Sequence, residues 1–147
     1  MRQFEVCRAI EIEAPPERVL DLLASFREWR RWSPFEQQDA DLERDYRGAE
    51  RGVGAIYDYR GKRSGAGTLE ITEADDRQVH VRVAFRKPFK TISEHDFVLR
   101  PEGDSTRVTW RMVGTQNALS RVVFPAQKFL GPVFDQGLEQ LKGVAEG

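Results

Sequence analysis

The sequence predicts one α+β domain in which a curved antiparallel sheet of about seven strands wraps around a long C-terminal helix. Three observations carry this. From residue 40 to 114, apolar and polar residues alternate with period two in six successive runs. The connections between those runs are short and rich in turn formers, which makes neighbouring strands antiparallel. From residue 118 to 146 the apolar residues recur instead at helical spacing. A sheet with one apolar face needs a cover, and this helix supplies it.

The opening segment reads as a strand, with Phe4, Val6, Arg8, Ile10 and Ile12 on one face and Glu5, Cys7, Ala9, Glu11 and Glu13 on the other. It stops at Ala14-Pro15-Pro16, because proline cannot continue a ladder yet suits the first turn of a helix. Val19, Leu22, Leu23 and Phe26 then fall at helical spacing, and REWRRWSPF adds a second short helical stretch that Pro34 ends. The six runs that follow are DLERDYR, GVGAIYDYRG, GAGTLEITE, QVHVRVAFR, KTISEHDFVLR and STRVTWRMVG. Glycines within them mark bulges or bends, which a strongly curved sheet requires. The final stripe runs through Leu119, Val122, Val123, Ala126, Phe129, Leu130, Val133, Phe134, Leu138 and Leu141, and Gly131-Pro132 is expected to kink or split it. No repeat or linker divides residues 1–147.

Bulk properties remove several function classes. The 147 residues suit one domain with a true core, and a net charge of −1 gives no global attraction to nucleic acid or an anionic membrane. The lone Cys7 and two distant histidines offer no disulfide and no metal-ligand spacing. No cofactor motif is present, since the glycine pairs lack the lysine and helix of a phosphate loop. No segment has the continuous apolar length of a signal peptide or membrane span, so the expectation is a cytoplasmic protein without integral membrane association.

The segments IEIEAPPERVLDLL, EWRRWSPF, GVGAIYDY, GAGTLEITE, VAFRKPF, STRVTWRMVG and FDQGLEQLK, in this order and spacing, carry a family resemblance over nearly the whole chain. The sequence resembles the START-like SRPBCC superfamily in its polyketide cyclase/dehydrase and lipid-transport branch. The resemblance implies a helix-grip fold with two short helices after the first strand and a ligand cavity between sheet and C-terminal helix.

Alternation selects the residues that face such a cavity. Unpaired charges are costly to bury, so Glu94, Asp96 and Arg100 point outward and Thr91, Ser93, His95, Phe97 and Leu99 inward. The same argument turns Tyr57, Tyr59, Trp110 and Met112 inward and leaves His80 solvated outside. Leu69, Val83 and Phe85, with Phe129 on the helix, complete the expected ligand-binding set. Any one apolar member is more often plain core. The polar handles are Tyr57, Tyr59, Ser93, His95 and Trp110; a buried histidine is either satisfied by a neighbouring hydroxyl or used as an acid, base or donor. Trp32 and Phe35 either form a rim or lid over the cavity mouth or staple the short helices to the sheet.

The leading expectation is binding of a hydrophobic or aromatic small molecule, lipid-like or polyketide-like, without chemistry. The inner face lacks paired carboxylates and any serine-histidine-aspartate signature. One alternative is an enzyme of cyclase or dehydratase type with His95 as acid/base and a tyrosine on an enolate oxygen. Another is a protein-interaction module; the expected oligomeric state is monomer or homodimer.

Overall fold

The computed structural model describes residues 2–88, 90–116 and 125–147. Seven strands form one antiparallel sheet: β1 (Arg2–Ile12), β2 (Glu43–Gly48), β3 (Ala55–Gly61), β4 (Gly65–Ala74), β5 (Gln78–Lys87), β6 (Thr91–Glu102) and β7 (Ser105–Gln116). Their order across the sheet is β1-β7-β6-β5-β4-β3-β2. Strands β2 to β7 are thus a plain meander, and β1 returns to pair with β7 from Arg2↔Gln116 to Ile12↔Thr106. Helix α1 (Pro16–Leu23) and helix α2 (Ala126–Glu146) complete the layer that covers the sheet. The expected seven-stranded sheet gripping a terminal helix is the architecture found.

Local sequence explains the boundaries. Pro16 occupies the first turn of α1, and Val19, Leu20, Leu22 and Leu23 form its buried stripe. The helix ends at Leu23, short of the expected Phe26. Two 3₁₀ turns follow, Glu28–Arg31 and Pro34–Gln37, so Pro34 opens a turn where it was expected only to close one. Ser33 before it is extended, as a residue preceding proline should be. Strand β3 begins at Ala55 because Gly48, Gly52 and Gly54 all take positive φ in the preceding turn. A Cβ on Gly48 would lie 2.2 Å from the Gly54 carbonyl oxygen, so that turn has room only for glycine. The register between β4 and β5 shifts at Ala66/Gly67 and at Ile71/Glu73. Such bulges bend a strand, in line with the expected role of strand glycines.

Helix α2 is continuous through Pro132. The split expected there does not occur: Pro132 lies in the second turn, where only one main-chain hydrogen bond is forfeited and packing against β1 holds the helix. The N-terminal part of the predicted stripe, Leu119, Val122 and Val123, lies outside the described residues. No helix among the described residues is long and apolar enough to cross a membrane.

The core is an aromatic stack joining the sheet, α2 and the 3₁₀ turns. Trp110 of β7 lies face to face with Phe134 of α2, ring centroids 3.8 Å apart at 7°. Trp32 meets Trp110 and Phe97 edge-on at 5.8 and 5.9 Å. Such pairs add to the area they bury. The indoles also finish α1: Trp29 Nε1 donates to the Leu23 carbonyl at 2.9 Å and Trp32 Nε1 to the Leu22 carbonyl at 2.8 Å. These are carbonyls that a helix C-terminus leaves without partners.

The outer face carries paired charges. Arg47 reaches Asp58 at 2.6 Å, Arg82 reaches Glu94 at 3.0 Å, and Arg111 grips Glu5 with two nitrogens. His80 departs from the expectation of a merely solvated ring. Its Nδ1 lies 2.5 Å from Asp96 and its Nε2 2.8 Å from Glu94, because both carboxylates project from β6 beside it. Partial burial works against the imidazolium, but the two carboxylates outweigh it and raise the pKa.

Candidate functional site

Between the inner sheet face, α2 and the 3₁₀ turns lies a cavity of about 460 Å³, within the usual range for small-molecule sites of roughly 300–1,000 Å³. Of the residues expected to bind ligand, Tyr57, Tyr59, Leu69, Val83, Phe85, Ser93, His95, Met112 and Phe129 stand on its wall, together with Phe35. Phe129, on the first turn of α2, is 48% exposed.

Three expected positions move. Phe97 and Trp110 face inward, yet neither borders the cavity; they are sealed at 0% and 1% exposure by Trp32 and Phe134. Trp32 is not a rim residue: it is fully buried in that same stack. Alternation reports which side of a sheet a residue faces, not how deeply another layer covers it there. Phe97 and Trp110 are paired neighbours, as are His95 and Met112 two residues along. One pair falls under the tryptophans and the next opens on the cavity.

His95 is held by two contacts. Trp110 Nε1 donates to its Nδ1 at 3.1 Å, and its Nε2 lies 3.1 Å from the Ser93 hydroxyl. An indole N–H only donates, so Nδ1 must carry a lone pair and the proton resides on Nε2. The ring is neutral and donates to Ser93. Burial pushes its pKa down to about 4.

Sequence reasoning missed a second polar group. Glu36, in the 3₁₀ turn after Pro34, turns its carboxylate onto the wall with only 6% of the side chain exposed. Tyr57 Oη donates to Glu36 Oε2 at 2.5 Å and Arg44 Nε donates to Oε1 at 3.0 Å. Burial and the neighbouring carboxylate both push the Tyr57 phenol well above its ordinary range. Tyr46 stacks on Tyr57 at 5.0 Å, and Arg27 lies over the Tyr46 ring. Irregular turns have no period, so nothing in the sequence marked Glu36 as inward. Burial raises the Tyr59 phenol to about 12. Asp39 fixes the segment beside it, accepting from the Arg63 and Ser64 backbone N–H groups, and those bonds, Arg63 first, lower its pKa. Phe4 and Trp29 line the cavity as well, from β1 and the first 3₁₀ turn.

The fold is shared with solved structures. Protein CV1439 from Chromobacterium violaceum superposes with a TM-score of 0.70 at 17% identity, covering 97% of both chains. The Aha1 dimer from Colwellia psychrerythraea gives 0.68 at 18% identity, over 97% of this chain and 96% of that one. DynU16, from the dynemicin biosynthetic locus, gives 0.67 at 15% identity, over 97% of this chain and 47% of that one. No curated protein sequence matches the chain. The family model for polyketide cyclase/dehydrase and lipid transport matches residues 3–146. With the match running from the first strand to the last turn of α2, the chain belongs to that polyketide cyclase/dehydrase and lipid transport family.

Proposed function

We propose that this protein holds a hydrophobic, largely aromatic small molecule in the cavity and performs no chemistry on it. The cavity itself carries the reading: its wall is mostly aliphatic and aromatic, with a few placed polar groups. On this reading Tyr57, Tyr59, Leu69, Val83, Phe85, Met112 and Phe129 supply contact area, and Ser93 and His95 supply orientation. The test pairs native mass spectrometry of protein purified from its host with titration of the dye 1-anilinonaphthalene-8-sulfonate. A co-purified small molecule or one dye site per chain is expected, with dye binding abolished by Val83→Trp, which fills the cavity. The reading is overturned if neither molecule binds, or if the filled variant binds dye as well as the wild type.

Turnover of a polyketide-like chain is the second reading, and the family description and the Tyr57–Glu36 pair favour it. Against it, the one lone pair with which His95 would take a proton already accepts from Trp110. An assay with a candidate polyketide separates the two: loss of turnover in His95→Ala supports chemistry there, and unchanged turnover removes His95 from it. The interaction-module alternative has less support, because the charges of the outer face are largely paired with one another.

A further inference from the structure

We propose that the cavity selects a ligand carrying an uncharged acceptor oxygen of the carbonyl type, seated against the hydroxyl of Ser93. This rests on the cavity holding a small molecule, and it adds the functional group that the molecule presents. The argument follows the direction of hydrogen bonding. Trp110 can only donate, so His95 accepts at Nδ1 and donates at Nε2. Ser93 therefore accepts from His95 and cannot return its own hydrogen to that ring. Among the described residues the Ser93 hydroxyl makes no other hydrogen bond. Val83 is its cross-strand partner on β5, and on the β7 side stand Gly114, with no side chain, and the Phe4 ring.

Ser93 is 3% exposed and borders the cavity. Its O–H is thus a buried donor facing the cavity. A buried donor left unsatisfied costs about 1–3 kcal/mol, so a ligand acceptor placed there recovers that cost. A hydroxyl that already accepts a hydrogen bond becomes a better donor. The apolar Val83, Met112 and Phe134 close by favour a neutral oxygen over a carboxylate. Trp110 is a positioning residue: it never reaches the ligand, but its N–H sets the sense of the whole chain.

The test uses 9-fluorenone and fluorene, flat aromatic probes that differ by one carbonyl, each displacing the dye from the intact protein. The wild type is expected to prefer the ketone, and Ser93→Ala to reduce that preference about fivefold, the equivalent of one neutral hydrogen bond. Comparing the ratio between proteins cancels the differing water solubility of the probes. The infrared carbonyl band of bound fluorenone should lie at lower frequency in the wild type than in Ser93→Ala. In Trp110→Phe the His95 proton is free to move to Nδ1, so Ser93 can donate to Nε2 and the band shift should shrink although the serine is intact. If both probes bind and neither preference nor band changes in Ser93→Ala, the acceptor proposal fails while the cavity reading stands. If neither probe displaces the dye, the acceptor proposal falls, and the cavity reading stands or falls on dye binding to the wild type and to Val83→Trp.

Discussion

Trp32 Nε1 meets the Leu22 carbonyl across 2.8 Å, so a fully buried tryptophan serves as the C-terminal cap of α1. Replacing it with Phe keeps most of the ring packing but leaves that carbonyl dry and without its donor. Trp32→Phe is expected to lower stability by about 1–3 kcal/mol, and Trp32→Ala by about 3–5 kcal/mol because a cavity is added. Urea denaturation at neutral pH measures both. Equal losses would show that the cap contributes most of the effect.

Glu36 is a nearly dry carboxylate whose charge is balanced by Arg44 and whose second oxygen accepts from Tyr57. Glu36→Leu removes the acceptor and strands both donors. It should cost about 3–5 kcal/mol, whereas Tyr57→Phe, which removes one donor only, should cost about 1–2 kcal/mol. Chemical denaturation distinguishes them. A pH titration of tyrosine absorbance should show Tyr57 resisting ionisation longer than a free phenol, and Glu36→Gln should lessen that resistance.

The two histidines give opposite pH dependences. Folding lowers the His95 pKa from 6.5 to about 4, so its contribution is complete above pH 6.5 and is lost as pH falls toward 4. Folding raises the His80 pKa above 6.5, so its contribution is complete below 6.5 and is lost as pH rises through the raised value. With His80→Gln removing the second effect, the protein should lose about 2 kcal/mol between pH 7 and 5 through His95. The added change His95→Gln should remove that slope. Parallel stability curves for the single and double variants would contradict the assignment.

Gly67 lies under the Tyr59 ring, and a Cβ there would come within 2.8 Å of the hydroxyl oxygen and Cε1 of that tyrosine. Gly67→Ala should therefore push Tyr59 into the cavity. Dye affinity should fall several-fold, with a stability loss of about 1–3 kcal/mol from crowding. Fluorescence titration and thermal melts check the two parts separately.

The strands were legible because alternation is a direct consequence of the pleat, and all seven runs from Phe4 to Met112 are strands in the structure. The final helix was legible for the same kind of reason, a stripe at helical spacing from Ala126 to Leu141. What escaped was set by long-range contact. Trp32 reads equally as lid or core in a segment without period, and its burial is decided by Phe97 and Trp110, which are distant in sequence. His80 reads as an outward histidine, and only pairing of β5 with β6 brings two carboxylates to it. The direction of the Trp110–His95–Ser93 chain required three positions on two strands to be seen together.

The pairing of β1 with β7 also governs when the cavity can exist. Every ladder partner of the first strand lies between Thr106 and Gln116, and α2 then ties itself to the same region through Lys142 on the Glu11 carbonyl and Arg18 on the Val144 carbonyl. Contacts this remote in sequence form slowly, since the intervening chain must first be ordered. During synthesis the β2–β7 meander can assemble hairpin by hairpin, but β1 waits for the seventh strand and the cavity for α2. On the proposed reading, a ligand thus meets a competent cavity only after α2 has been made, so it enters folded walls and does not template the strands that form them.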